Sequence, residues 1–179
     1  CALPIFGKKY FAEAGDKLFV TSIFYTMQGE GPYRGMPAIF VRLAKCNLGC
    51  SWCDAFFDDG DWMTVDEVLD QCEHEINKFY NNNTPPEIYN KIVFVLTGGE
   101  PSLQQIYPLL DKASTLYGAT QIESNGVFAP DVPDRTTVVI SPKCNEKVDI
   151  SLGFKRYVPI KYMEPNKDTL ARADCLKLD

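Results

Sequence analysis

The stretch that decides the fold is "KIVFVLTGGEPSLQQIYPLLDKASTLYGATQIESNG", residues 91–126. It opens on a continuous apolar run of strand length, breaks at two glycines, continues as helix-like sequence over 103–118, and returns to a second short strand run. A strand, a helix and a strand in this order form a parallel pair with a crossover helix, because only a long connection brings the chain back in the same direction. "TTVVISPK", residues 136–143, supplies a further apolar run of the same kind. Upstream, "KLFVTSIFYT" (17–26) and "PAIFVRLA" (37–44) are β-branched and aromatic runs, the first ended by "MQGEGPYRG" and the second by a cysteine loop. Between the halves, Thr64 and Glu67 form a capping box, and Val65, Val68, Leu69, Cys72, Ile76 and Phe79 then recur at helical spacing. "NNNTPP", residues 81–86, reads as a connector. Strands alternating with helices predict a mostly parallel sheet covered by helices, with ligands gathered at the carboxyl ends of the strands. Those ends carry glycine-rich, polar or cysteine-rich sequence here.

Composition bounds the reading. The chain of 179 residues fits one domain, 1–179, large enough to bury about 70% of its unfolded surface without disulfides. Hydrophobic residues make up 45% and charged residues 23%, which places it among globular rather than disordered chains. A net charge of −6 makes it a poor electrostatic match for a nucleic-acid backbone, so no polynucleotide partner is expected. No apolar run has the length of a membrane span and the first residues lack the order of a signal peptide, so a cytoplasmic protein with no membrane partner is expected. Seven cysteines at uneven spacing in such a chain read as metal-binding or catalytic rather than as a disulfide framework. The chain lacks an initiator Met and stops at "RADCLKLD", which reads as a strand just beginning, so the C-terminal end of the domain is expected to be missing.

Three of the cysteines crowd into "CNLGCSWCDA", residues 46–55. Cys46, Cys50 and Cys53 in this spacing suit a cuboidal iron–sulfur cluster held from one short loop, with one iron left open to another ligand. A zinc site completed from Cys72, Cys144, Cys175 or His74, and plainly buried cysteines, are the alternatives; Cys72 falls on the apolar side of its helix and His74 on the polar side. "TGGEP", residues 97–101, follows a strand directly, so its glycines allow close backbone approach and Glu100 adds a carboxylate suited to an ammonium group. A plain strand-to-helix turn is the simpler account of the glycine pair alone.

Together the cysteine loop and the GGEP loop resemble the radical S-adenosylmethionine superfamily. The resemblance narrows to the 7-carboxy-7-deazaguanine synthase family over about Leu18 to Leu178. It rests on "FYTMQGEG", "PAIFVRLAKCNLGCSWCD", "VLTGGEPSLQ", "IESNG" and "VISPK", in that order. It implies an incomplete (β/α) barrel carrying a [4Fe–4S] cluster on Cys46, Cys50 and Cys53. S-adenosylmethionine would be held by Trp52, Cys53, Asp54, Gly98, Gly99, Glu100, Ser124, Asn125, Ser141, Pro142 and Lys143. It further implies a carbon–nitrogen lyase that contracts 6-carboxy-5,6,7,8-tetrahydropterin to 7-carboxy-7-deazaguanine on the route to 7-deazapurines such as queuosine. A flavodoxin- or ferredoxin-type electron donor and a homodimer come with the resemblance.

Substrate residues follow the same resemblance: Met27, Gln28, Gly29, Glu30, Arg42, Thr97 and Glu123. Each has a reading of its own. Gln28 offers a donor and an acceptor to a heterocycle edge, or lies in a hairpin turn. Arg42 sits within an apolar strand, where a guanidinium needs an anion, either a substrate carboxylate or a structural partner. Thr97 bonds the same ligand or merely ends its strand. Glu123, the candidate catalytic residue, faces the adenosyl group or the pterin, or a solvated turn. Trp52 shields the cluster, holds the adenine, or packs. Lys143 supplies charge to the cofactor or sits at the surface. One departure concerns Mg2+: where the family reads Cys-Asp-Thr this chain has Ala55, which cannot ligate a metal, leaving Asp54, Asp58 or Asp59 to compensate. Residues 147–166 have no family counterpart and are expected to form a variant loop. Another radical enzyme, such as a glycyl-radical activating enzyme, shares the cysteine and GGEP loops but gives no account of "MQGEG" with Arg42. An iron–sulfur or zinc module without catalysis is the other alternative.

Overall fold

The computed structural model describes residues 17–51, 53, 55–149, 156–162 and 165–177. Trp52 and Asp54, both expected at the cofactor site, lie outside the described residues.

Seven strands make one sheet: β1 (Lys17–Met27), β2 (Pro37–Leu43), β3 (Asp61–Thr64), β4 (Val93–Gly98), β5 (Ala119–Ser124), β6 (Thr137–Ile140) and, after a separate hairpin, β9 (Cys175–Leu176). Their spatial order is β3-β1-β2-β4-β5-β6-β9. From β2 to β9 every neighbour is parallel, whereas β1 runs antiparallel to both β2 and β3. The sheet is open, an incomplete barrel of mostly parallel strands as expected.

Helix α1 (Val65–Phe79) begins at the anticipated box: Thr64 accepts from Glu67 N at 3.3 Å, and Glu67 accepts from Thr64 N at 2.7 Å. Val68, Leu69, Cys72 and Ile76 are buried, whereas Phe79 is exposed and packs edge-on against Tyr25 and Tyr80. Helix α2 spans Tyr107–Leu116. It starts later than its sequence pattern because Pro101–Leu103 forms a 3-10 turn and Gln104 is extended. The Gln104 amide is instead spent on the backbone of Phe19, at 2.8 and 3.1 Å, and on Ala44 O at 3.1 Å, which ties the turn to β1 and the end of β2.

Three further differences from the sequence reading have local causes. Strand β3 was not anticipated; it extends the sheet on β1, with Trp62 stacked on Phe19 at 4.8 Å. No helix connects β5 to β6 among the described residues, where "NGVFAPDVPDR" is too rich in Pro and Asp to sustain one. Residues 147–166 are not simply a variant loop: β7 (Cys144–Asp149) and β8 (Arg156–Tyr162) pair antiparallel, and the helix α3 (Lys167–Arg172) leads from them to β9.

Side-chain alternation gives the sheet two unlike faces. Ile39, Val41 and Leu43 of β2, Phe94 and Leu96 of β4, Ile122 of β5 and Val138 and Ile140 of β6 pack with α1 and α2 in the main core. On the other face, Ala38, Phe40, Val93 and Val95 form a small apolar cluster with Phe24, Tyr33 and Ala119. Continuing along this face toward the carboxyl ends, the apolar residues give way to Arg42, Thr97 and Glu123.

Candidate active site

Register brings those three together. Arg42 pairs with Thr97 across β2 and β4. Thr97 stands one residue beyond the Leu96–Ile122 pair, level with Glu123, and Glu123 pairs with Val139 of β6. Arg42, Thr97, Glu123 and Val139 therefore form one row across four neighbouring strands, at intervals of about 4.8 Å. All four line a cavity of about 550 Å³ at the carboxyl rim.

Glu123 is the centre of the row. One carboxylate oxygen accepts from Gln28 Nε2 at 3.0 Å and from Gln121 Nε2 at 3.1 Å, and the other accepts from Thr97 Oγ1 at 3.1 Å. Gln28, though almost wholly buried, also accepts from Glu30 N at 3.0 Å, so both ends of its amide are in use. Arg42 differs. Its guanidinium lies 6.0 Å from the Phe24 ring centroid, and it has no carboxylate partner among the described residues.

The 28–36 segment folds back over this face. Lys177 donates to Glu30 at 2.7 Å, Tyr33 Oη meets Thr137 Oγ1 at 3.1 Å, and a Cβ on Gly31 would stand 3.0 Å from Val139 Cγ2. Gly31 also has φ 68°, which favours glycine. Lys177 was not among the expected site residues; it follows β9, and only the register of that short strand places it on the cavity.

The cysteine loop leaves β2 through Lys45, whose φ of 71° is left-handed, and is closed at its base by Lys45 N donating to Phe57 O at 2.7 Å. Cys46, Cys50 and Cys53 all line the cavity, grading from buried through half-buried to exposed. Burial pushes the Cys46 thiol up to about 12, although Leu48 N donates to its sulfur at 3.4 Å. The three thiols are the donor type an iron–sulfur cluster takes and all reach the cavity, although no three ligating side chains among the described residues stand grouped as a metal site; the Leu48 N–H is the kind of donor that stabilises thiolate charge. Cys72 is wholly buried in the core and His74 is exposed on α1, so neither completes the set.

The GGEP loop is built on the same wall. Gly99 N donates to Leu43 O at 3.0 Å and Glu100 N to Lys45 O at 2.9 Å, carrying the β2–β4 ladder up onto the start of the cysteine loop. This explains the glycine pair. A Cβ on Gly98, where φ is 140°, would lie 2.2 Å from Leu43 O, and one on Gly99 would lie 2.0 Å from Lys45 O. The close approach is thus to the neighbouring backbone, whereas the sequence pointed to a ligand.

Glu100 is fully buried beneath the cavity. Its carboxylate accepts from Ser102 N at 2.9 Å, Ser102 Oγ at 2.5 Å, Ser124 Oγ at 2.9 Å and Asn125 N at 2.7 Å. Burial raises its pKa, and the four donors work against that rise. Gly98, Gly99, Ser124, Asn125, Ser141 and Lys143 do line the cavity, and Lys143 donates to Ser141 Oγ at 2.7 Å. Pro142 is buried away from it, and Met27 is exposed and does not line it. Ala55 lines the cavity with the cysteines, and its side chain carries no oxygen to ligate a metal.

Comparison with known proteins gives a consistent picture. The chain is 37% identical over 132 residues to a 7-carboxy-7-deazaguanine synthase of Rhodospirillum rubrum, covering 72% of this chain and 52% of that protein. It is 39% identical over 129 residues to the synthase of Rickettsia prowazekii, covering 72% of this chain and 53% of the relative. With the synthase of Bacteroides thetaiotaomicron the identity is 34% over 150 residues, covering 83% and 71%. The chain thus spans about half the length of the first two relatives. Its fold is similar to that of QueE from Escherichia coli, with a TM-score of 0.69 at 24% identity, over 97% of this chain and 76% of the other. No protein-family model matches the sequence.

Proposed function

The chain belongs to the 7-carboxy-7-deazaguanine synthase family, and from that premise we propose that it converts 6-carboxy-5,6,7,8-tetrahydropterin to 7-carboxy-7-deazaguanine by radical ring contraction, as a carbon–nitrogen lyase. The observation that carries the reading is Arg42: a half-buried guanidinium on the cavity wall, in register with Thr97 and Glu123 and without a carboxylate of its own among the described residues. Such a group is suited to a carboxylated ligand, which it can grip with two parallel hydrogen bonds. The Thr97 hydroxyl, its hydrogen spent on Glu123, and the Glu123 carboxylate then both offer acceptor sites to N–H groups of the heterocycle beside it.

Cys46, Cys50 and Cys53 would hold a [4Fe–4S] cluster, and Gly98, Gly99, Ser124, Asn125, Ser141 and Lys143 would surround S-adenosylmethionine. When bound, these two groups supply one-electron cleavage chemistry and hydrogen-atom abstraction. The chain's own residues do the rest. Arg42 fixes the carboxylate end of the substrate, the Glu123 carboxylate is oriented by Gln28, Gln121 and Thr97, and the 28–36 segment covers the cavity and limits entry of water. Glu100 serves from below, holding the GGEP loop and the end of β5 in one arrangement. Ala55 gives no reason to assign Mg2+ a role. A flavodoxin- or ferredoxin-type reductant, a homodimer and a cytoplasmic setting belong to the same proposal; no helix among the described residues is long and apolar enough to cross a membrane.

The test is anaerobic incubation of the iron- and sulfide-reconstituted protein with reductant, S-adenosylmethionine and the carboxytetrahydropterin. The deazapurine should form only when all are present. Cleavage of S-adenosylmethionine without any deazapurine, across a range of pterin concentrations, would assign the chain to a different radical reaction.

A further inference from the structure

Gln121 of β5 is a wholly buried amide, set where the small apolar cluster gives way to the polar row. Strand alternation sends its side chain to the same face as Ala119 and Glu123. Its neighbours in the ladder are Val95 of β4, a member of that cluster, and Thr137 of β6. The 28–36 segment closes over it, since a Cβ on Gly31 would lie 3.1 Å from Gln121 Oε1. Gln121 Nε2 donates to Glu123 Oε1 at 3.1 Å, whereas Gln121 Oε1 has no hydrogen-bond partner among the described residues. Turning the amide over would set its oxygen against the carboxylate, so the bond to Glu123 fixes the orientation.

A buried acceptor without a donor costs stability, and an apolar side chain of the same volume would fill this place without that cost. The carboxylate would not be stranded by such a change, because Gln28 Nε2 donates to the same Glu123 oxygen at 3.0 Å. Stability therefore gives no reason for an amide here; the Glu123 carboxylate does. Its two oxygens offer about four lone-pair sites. Gln28 and Gln121 fill both sites on Oε1, and Thr97 Oγ1 fills one on Oε2, so among the described residues one acceptor site is left for a ligand, on Oε2. We propose that Gln121 is a positioning residue for the substrate: together with Gln28 it saturates Oε1, so that Glu123 meets an N–H of the substrate through Oε2 alone and in one orientation. Without Gln121 a site opens on each oxygen, and the carboxylate can turn to offer either. The inference rests on the reading of Glu123 as a substrate contact.

The test is anaerobic calorimetric titration of the carboxytetrahydropterin into the reconstituted full chain with S-adenosylmethionine and no electron donor, beside urea denaturation. Gln121→Met and Gln121→Leu both keep the volume and remove the amide, and whichever unfolds at the higher urea concentration is carried forward. That variant should be at least as stable as wild type, yet bind the pterin about tenfold more weakly. Glu123→Ala should weaken binding too, and adding the Gln121 change to it should cost nothing further, because Gln121 acts through the carboxylate. A full additional loss on top of Glu123→Ala overturns the proposal. A lower unfolding midpoint in both Gln121 variants overturns it as well, since the amide would then be a structural group. Wild-type affinity for the pterin in the variant overturns this inference alone, whereas failure of the wild-type chain to bind the pterin overturns the proposed substrate and this inference with it.

Discussion

Glu30 and Lys177 meet at 2.7 Å, and the contact joins the segment between β1 and β2 to the strand at the far end of the sheet. The pair fastens the 28–36 segment, which crosses one face of the open sheet, to the end of β9. Both side chains are about one third exposed or more, so the pair itself is worth no more than about 1 kcal/mol. Lys177→Ala should therefore change stability little while loosening the cover over the cavity, raising KM for the pterin more than it lowers kcat. The charge-reversed pair, Glu30→Lys with Lys177→Glu, should recover the stability but not the KM if Glu30 also faces the substrate. Urea denaturation beside steady-state kinetics separates the two effects, and recovery of KM by the reversed pair would make Glu30 purely a fastening.

Gly99 admits no side chain, because its Cβ would sit 2.0 Å from a backbone oxygen rather than from a flexible side chain. Gly99→Ala should destabilise the protein by about 3 kcal/mol, at the upper end of overpacking costs. Since the displaced atom is Lys45 O, at the root of the cysteine loop, iron content after reconstitution should fall as well. Denaturation midpoints and iron per chain are the measurements; a stable, iron-replete Gly99→Ala protein would contradict the packing argument.

Arg42→Ala removes the guanidinium facing the cavity without touching the cysteines or the GGEP loop. Affinity for the carboxylated pterin should drop by about 2–5 kcal/mol, the usual cost of truncating one partner of a desolvated charge pair. Arg42→Lys should restore it only in part, since an ammonium lacks the planar fork. Slow uncoupled cleavage of S-adenosylmethionine should survive in both. Equal affinity of Arg42→Ala and wild type for the pterin would remove the main support for a carboxylated substrate.

Cys72 provides a pH signature of the core. Burial alone raises its thiol pKa far above the ordinary value of 9.0. Above pH 9 the unfolded chain therefore loses this proton while the folded chain keeps it, and stability falls as pH rises, by up to about 1.4 kcal/mol per pH unit for one group. Cys72→Ala should lower stability at neutral pH by about 1 kcal/mol through the lost packing, yet flatten the decline above pH 9. It should also leave iron content unchanged. Stability curves of the metal-free proteins between pH 7 and 10 would show this, and parallel curves for the two would refute it.

Much of this arrangement was legible in the sequence because the signals are local. The apolar runs that became β1, β2, β4, β5 and β6 carry their own length and composition, and the Thr64–Glu67 box is complete within four residues. The roles of Glu100 and Gln28 were not legible in the same way. Both are polar residues in glycine-rich loops, and only the folded chain shows that their side chains are consumed by Ser102, Ser124 and Asn125, and by Glu123 and Glu30. Lys177 and Asn47 escaped notice for another reason. Lys177 depends on the alignment of a two-residue strand, and the burial of Asn47 against Asn125 on a bond between residues far apart in sequence. The β7–β8 hairpin was hidden because β7, CNEKVD, is mostly polar and Pro159 interrupts the short apolar run of β8.

The row formed by Arg42, Thr97, Glu123 and Val139 works as a ruler whose divisions are the distances between strands. Four marks at about 4.8 Å span about 14 Å, and backbone ladders hold them there whatever the side chains do. A rotamer change can tilt a mark but cannot move it to a new division. Substitution along the row should thus exchange one functional group of the ligand for another at a fixed place, whereas a longer or shorter ligand calls for recruiting or silencing a whole strand. The strand next in line, β9, already offers Cys175 opposite Val139 as the following mark.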